Sequence, residues 1–565
     1  MRQDRSSRDP GPVLTLSLVL GCLVASAFAT PFDVPDRQET GLTILADGTT
    51  VTSANTANTA NSSAATDGAS STPANGSSGP TQSSSATTET AGQPSTSAAT
   101  PAATSSQAQT QPEAADGASY QGVTATSVLW GVSAQKNGCG GFDQGEIQRG
   151  FGINSNAELN YELMVEYWNS FPLVDYPLPP EIRKHVNPEN GYWGRKIETV
   201  FRDSGGYACQ DVGRANAVRM AEEDLVFGLI MPPTDGPEVP MSLVMAQHQL
   251  IHIGRWLTGP MFWGPRQPYF FDGRWGSNIS HVLAQGSWIC RDWVGQLAND
   301  TGDPMVSGLP RNFGITYPDV PDFTEAVDHL DEELARCGLE GAGHYGIPFD
   351  LSTLAANAQT VVTRMRSDGV TTIVSVNDFL TRLLMMEAAT QQNWHPEWVV
   401  SGMGNGSFPG TYSTFMTPDQ AANVWGAVDN AAVTDGPYTE TEAYVAFKRI
   451  RPNEEPDDGW VNFYEQFKLL ALGMAGAGPN LTPQTFAQGL YTLCNPCHQD
   501  SPLDRLERIT PDDPTDIEGF TLVKWDPDRI CTPCKPDANG NAPAGYFDFL
   551  EDGKRYGLTI RDPVT

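Results

Sequence analysis

The residues of this chain best suited to chemistry are its cysteines and a few polar groups at the ends of apolar runs. Cys494-Asn495-Pro496-Cys497 and Cys531-Thr532-Pro533-Cys534 have the spacing of a four-thiolate zinc site, and equally of oxidised pairs. His248 and His252 stand four apart. On a helix they would face one way and offer a metal two ligands, but no glutamate completes an HExxH pattern and a strand fits the segment as well. Arg255 has the planar fork that grips a carboxylate or phosphate in bidentate fashion, or makes a surface ion pair. Asn377 and Asp378 offer ligand contacts or, as the bland alternative, the cap of the helix that follows. Catalytic patterns are thin. The chain has no GxSxG elbow and no P-loop, and Gly404-Asn405-Gly406-Ser407 lacks the elbow spacing. Acidic pairs are too frequent to single out a glycosidase dyad. No cofactor is expected.

The elements that must position these groups begin late in the chain. Arg2, Arg5 and Arg8 precede an apolar run over 13–24 and the small-residue stretch Ala25-Ser26-Ala27-Phe28-Ala29, the layout of an export signal over 1–29. Two fates are open. One is cleavage before Thr30. The other is lipid attachment at Cys22, where Val19-Leu20-Gly21-Cys22 is similar to a lipobox. Residues 30–119 read as a Ser/Thr/Ala-rich disordered linker. No aromatic residue occurs over 33–119 and no Lys or Arg over 38–135, so this tract has little apolar surface to offset its ordering entropy. A coil of about 75 residues reaches roughly 50 Å, which suits a tether between a membrane and a folded domain.

The full chain has 565 residues and a formal charge of −33, most of it carried by the part after residue 119. Such an excess of acid argues against duplex nucleic acid and against an electrostatic grip on anionic lipid. It keeps an exported domain soluble.

The remaining chain alternates strand and helix. Strands are predicted over 127–132, 196–202, 225–230, 311–316, 371–376 and 397–401. Helices are predicted over 157–168, 208–223, 323–337, 351–367 and 378–391. The run 225–230 is continuously apolar, as a strand buried on both faces must be. Two βαβ series follow, each with about five strands. The fold class is therefore α/β, with two doubly wound parallel-sheet lobes joined by a hinge. The expected division is 120–263 for the first part of lobe 1, 264–397 for lobe 2 and 398–500 for the return to lobe 1. A Cys-containing region, 501–565, closes the lobes. Ligands of such folds sit beyond the carboxyl ends of the strands. That selects Thr234, Asp235, Arg255, Trp256, Tyr345, Asn377 and Asp378 as ligand-binding candidates. Trp256, Phe262, Trp263 and Tyr269 either line the cleft or pack the crossover. With Cys22 set aside, eight cysteines remain, and in an exported chain an even number favours disulfides over zinc. Sequence order and lobe membership favour Cys139 with Cys209 and Cys290 with Cys337.

The order of segments resembles the type I periplasmic binding proteins, in the branch of the branched-chain amino acid receptors of ABC transporters. Gly122-Val123-Thr124-Ala125-Thr126 is similar to the family's opening. Asn190-Gly191-Tyr192-Trp193-Gly194-Arg195-Lys196-Ile197-Glu198 is similar to its step into the second strand, which ends here at Arg202-Asp203. Residues 217–226, 311–319 and 365–376 resemble its next helix–strand steps. Residues 464–478 with Leu481-Thr482-Pro483-Gln484-Thr485-Phe486 resemble its late helix pair. The resemblance covers about 122–525. It implies a monomeric receptor that closes two lobes on a small amino-acid-like, amide or peptide ligand and docks on a membrane permease. A ligand sensor without transport and a secreted hydrolase are the alternatives. Three departures stand out. Residues 140–189 exceed the family's first loop and helix, with an insertion over 171–186. Met231-Pro232-Pro233-Thr234-Asp235-Gly236 replaces its Gly-Pro-x-x-Ser carboxylate loop, and His252-Ile253-Gly254-Arg255-Trp256 replaces its small-residue ligand loop. Both loop changes weigh against an ordinary leucine-like ligand.

Overall fold

The computed structural model describes residues 119–134, 157–204, 210–231, 238–254, 259–272, 276–350, 353–401, 418–429, 437–494, 508–515, 519–532 and 540–557, with 534, 536 and 559. All belong to the unit Pro112–Thr565. Cys22, Cys139, Cys209, Cys497, Thr234, Asp235, Arg255 and Trp256 lie outside the described residues.

Strand β1 (Ser127–Ala134) organises the first lobe. Helix α1 (Ala157–Ser170) follows, then β2 (Lys196–Asp203), α2 (Gln210–Glu222), β3 (Gly228–Ile230), α3 (Glu238–Gln247), β4 (Ile251–Ile253) and β5 (Phe270–Phe271). The five strands are parallel in the order β2-β1-β3-β4-β5. Trp130 of β1 is fully buried, and Gly228 beside it has no room for more. An added Cβ would lie 2.6 Å from the indole and 2.7 Å from the Ile251 carbonyl oxygen.

The second lobe holds α4 (Asn278–Trp288), β6 (Phe313–Pro318), α5 (Pro321–Ala335), β7 (Gly343–Ile347), α6 (Leu354–Ser367), β8 (Thr372–Ser375), α7 (Phe379–Gln391), β9 (Glu397–Ser401) and β10 (Val424–Asp429). Its parallel strands run β7-β6-β8-β9-β10, the same winding as the first lobe. The chain then returns to lobe 1 as α8 (Glu442–Ile450), α9 (Asp458–Ala477) and α10 (Pro483–Leu493). It ends as β11 (Phe520–Ile530), β12 (Ala544–Phe549) and β13 (Arg555–Tyr556). Strand β11 pairs antiparallel with β10, and both β12 and β13 pair with β11.

Two expectations change here. Lobe 2 does not end at 397, because β9 pairs with both β8 and β10, so the return begins after Asp429. Lobe 1 correspondingly extends past 263 to β5. The C-terminal region widens the lobe 2 sheet, since β11 fills the free edge of β10. Of the predicted disulfides, Cys290 and Cys337 are paired, with Cα atoms 5.5 Å apart. Cys531 and Cys534 pair within their own CxxC, with Cα atoms 5.3 Å apart. Cys494 is also disulfide-bonded, with its partner outside the described residues. Helix α3 stops at Gln247 and His252 lies in β4, so the two histidines do not share a helical face.

Each sheet is covered on both faces. In lobe 1, α2 and α3 cover one face, packing Met220, Met241 and Met245 on Leu229 and Met231. The other face, with Trp130, Phe227 and Phe271, is covered by α1, α9 and α10. Tyr161 of α1 stacks on Phe463 of α9 at 4.4 Å, and Trp130 meets Phe486 of α10 at 5.6 Å. Asp457 caps α9 by accepting the Trp460 amide at 2.9 Å, and Asn160 of α1 donates to the same carboxylate. Helix α10 starts with a Thr482/Thr485 capping box and Pro483 in its first turn.

Helices α9 and α10 touch backbone to backbone. A Cβ on Gly489 would lie 2.6 Å from the Gly476 carbonyl carbon. Gly489→Ala should therefore cost about 1–3 kcal/mol of stability from overpacking, despite the gain of roughly 1 kcal/mol that Ala brings to a helix interior. Urea denaturation monitored by circular dichroism measures this, and an unchanged or raised midpoint would show that the helices separate freely.

Candidate functional site

All strands of a parallel sheet present their carboxyl ends along one edge. The helices that follow start there with unpaired N–H groups. In both lobes the strand order reverses beside the first strand of the series, between β1 and β3 and between β6 and β8. These edges form the candidate site.

In lobe 1, the Ser204 amide donates to the Ala134 carbonyl at 3.0 Å, the Met231 amide to Ile253 at 3.1 Å and the Gly254 amide to Phe271 at 2.9 Å. These bonds hold the strand ends in register. Gly254 has φ +100°, and an added Cβ would lie 2.3 Å from the Met231 carbonyl oxygen and 2.7 Å from Nε2 of Gln466. Glycine is required there by conformation and by space. Gln466 projects from α9 onto this edge, 1 % exposed, and its Oε1 has no hydrogen-bond partner. A buried acceptor left unmade costs about 1–3 kcal/mol.

Lobe 2 repeats the arrangement. The Val376 amide donates to Thr316 at 2.9 Å and the Asp319 amide to Ile347 at 2.8 Å. Asn377 is wholly buried. Its Nδ2 lies 3.2 Å from Ser375 Oγ and 3.4 Å from Thr316 Oγ1, while its Oδ1 is unpartnered. The Asn377 carbonyl accepts from the buried Arg382 guanidinium at 2.9 Å. Asp378 caps α7, accepting from the Thr381 amide at 3.1 Å and from the Thr381 hydroxyl. Burial pushes its carboxyl above the usual range, against the pull of these bonds and of Arg382.

Of the sequence-selected ligand candidates, Asn377 and Asp378 lie together at the carboxyl edge of lobe 2. Tyr345 does not follow its strand but is the third residue of β7. Its side chain is buried and its hydroxyl donates to Asp368 at 2.9 Å. Asp368 ends α6 just before β8 begins, so Tyr345 points toward the amino ends of the strands. Burial, with Asp368 adding to it, pushes this phenol up to about 12. Phe262 and Trp263 are buried, and Phe262 packs edge-on against Phe270 of β5 at 5.2 Å. Gln466 was missed by sequence reasoning. Its only signal is an amide set among Phe463, Phe467 and Leu470 on a helix whose apolar face is core.

The described residues that flank the passages between lobes lie side by side. The Asp272 amide donates to the Pro514 carbonyl at 3.0 Å, Asp272 bridges Thr515, and Asp429 pairs with Phe520. Adjacent entry and exit points let two lobes hinge about one region. Among the described residues, no group of three or more His, Cys, Asp or Glu side chains is placed to hold a metal ion. No described helix is long and apolar enough to cross a membrane.

Asn caps a helix as well as Asp and carries no charge. A carboxyl whose folded pKa is raised contributes stability below its unfolded pKa and loses it as pH rises through the folded value. Asp378→Asn should match the parent in acid and gain relative stability as pH climbs from about 4 to neutral. Urea midpoints of both proteins across that range measure it, and a constant difference would show that Asp378 is not desolvated.

A family model described as periplasmic binding protein matches residues 183–527. No curated protein matches the chain. Among solved structures, the substrate-binding protein of an ABC transporter from Aeropyrum pernix is 11% identical. The match covers 77% of this chain and 97% of that one, with a TM-score of 0.51. A type 1 periplasmic binding protein from Bordetella pertussis Tohama I is 14% identical over 75% of this chain and 100% of that one, with a TM-score of 0.50. Both likenesses concern the fold. With more than half its length matched by the family model, and two equally wound lobes, the chain belongs to the periplasmic binding proteins, a family of solute-binding proteins rather than enzymes.

Proposed function

We propose that this protein is the extracytoplasmic receptor of an ABC-type importer, capturing a small polar or amphipathic ligand between its two lobes. Amino-acid-like molecules, amides and short peptides are the ligand classes. The observation that carries this reading is the pair of buried amides, Gln466 in lobe 1 and Asn377 in lobe 2. Each stands at a carboxyl edge with an acceptor oxygen unused. Neutral acceptors at both edges suit the N–H and O–H donors of such ligands. Thr234, Asp235, Arg255 and Trp256 follow β3 and β4 in sequence and join the same site in this reading. Arg255 takes an anionic group of the ligand, against the field of an acidic protein. The export signal delivers the chain, Cys22 or a cleaved end near Ala29 forms its start, and the linker lets the body reach a permease.

Native mass spectrometry of the purified protein, followed by thermal shift against amino acids, amides and short peptides, tests the reading. A co-purifying small molecule or a stabilising compound is expected. For that compound, Asn377→Leu should weaken binding about 5- to 150-fold in calorimetric titration, the factor that goes with about 1–3 kcal/mol. No bound molecule and no shift from any class would overturn the proposal, and turnover of a panel compound would replace it with a hydrolase.

A further inference from the structure

The segment 259–272 carries the chain from the edge of β4 to the first interlobe crossing, and it is fastened to both lobes. Pro260–Trp263 forms one helical turn and Gly264–Arg266 a tighter one. Lobe 1 holds it through Arg266, 4 % exposed. Its Nε donates to Ser242 Oγ at 2.8 Å and an Nη reaches the Val239 carbonyl at 3.4 Å, both on α3. The same guanidinium lies 3.7 Å from the ring centre of Phe262.

Lobe 2 holds the segment through Glu325 in the second turn of α5. Its Oε2 accepts the Met261 amide at 3.1 Å. The Phe262 and Trp263 amides fold back onto the Gly259 carbonyl at 2.9 and 3.1 Å, whereas the Met261 amide is met by the opposite lobe. The Met261 side chain is itself 54 % exposed, so its backbone rather than its packing makes the junction. Gly259 has φ −119°, open to any residue, and the carboxylate fills the space a side chain would take. An added Cβ would lie 2.6 Å from Glu325 Oε2. Helix α3 begins just past the loop that carries Thr234 and Asp235, and α5 just past the carboxyl end of β6. The fastened segment thus joins the two elements that rise from opposite sides of the cleft.

We propose that Glu325 is a positioning residue that latches the two lobes, biasing the cleft toward its closed arrangement by accepting the Met261 amide. The inference rests on the solute-binding reading only in that closure there means capture. The latch itself exists without ligand. A carboxylate accepting a backbone N–H makes a charge-assisted bond, here at a solvent-exposed position. Loss of the bond exposes the Met261 amide and frees the lobes to part about the crossings.

The test is the interlobe distance in the full chain with no ligand added. Spin labels are placed at Asp211→Cys on α2 and Ala356→Cys on α6, both exposed and both beside the sheet edges farthest from the crossings. Pulsed electron resonance should show a shift to longer distances in Glu325→Ala, and the same shift in Gly259→Ala, whose methyl displaces the carboxylate. Glu325→Gln, whose amide oxygen still accepts, should retain the parent distribution. Distributions of Glu325→Ala and Gly259→Ala that superimpose on the parent would overturn the latch. If Glu325→Ala yields no cooperative melt, Gly259→Ala decides alone. No ligand enters the measurement, so an unsuccessful ligand screen leaves the latch standing, and an absent latch leaves the receptor reading standing.

Discussion

A parallel sheet must be buried on both faces, and everything else in this structure follows from how the chain meets that demand. Lobe 1 builds its five strands first, but its own crossover helices α2 and α3 cover only one face. The other face, with Trp130 and Phe271, is closed largely by α9 and α10, which come after the whole parallel sheet of lobe 2. The chain therefore leaves lobe 1 unfinished, builds lobe 2, and returns. Two lobes, the first completed only when the chain comes back to it, are the consequence.

The same winding in both lobes brings two sets of strand ends into play, each furnished with a buried amide. Gln466 and Asn377 differ in origin, one from a returning helix and one from the end of β8. Both leave an acceptor unmade in a place where water is scarce. Proteins rarely tolerate that without a use for it. The net charge of −33 belongs to the surface and says little about such a site. Local groups decide it: the buried Arg382 beside Asp378, and the neutral oxygens around them.

Much of the architecture was legible. The runs 371–376 and 397–401 became β8 and β9 almost residue for residue, because short stretches rich in β-branched and aromatic residues between helical patterns have one good fate in a buried sheet. Asp378, read both as a ligand candidate and as a helix cap, does cap its helix. Tyr345 misled, since a tyrosine near a strand end looks like a ligand group until Asp368 is seen to hold its hydroxyl at the far end of the sheet. The boundary at 397 misled for a related reason. Whether β9 is the last strand of its lobe depends on whether β10 pairs with it, a register match across an intervening segment that no local pattern encodes.

The amino-acid sequence by itself determined the alternation of strand and helix and hence two doubly wound lobes, because burial period and turn chemistry are local properties. Only the tertiary structure decided that β10 belongs to lobe 2, which free edge the C-terminal strands fill, and where Gln466 and Glu325 stand. An amide on an apolar helix and a glutamate on an amphipathic one acquire their roles from Gly254 and Met261, residues 212 and 64 positions away. The Glu325–Met261 hydrogen bond forms only once both lobes have folded, and Gly254 meets Gln466 only when the returning helix packs on lobe 1.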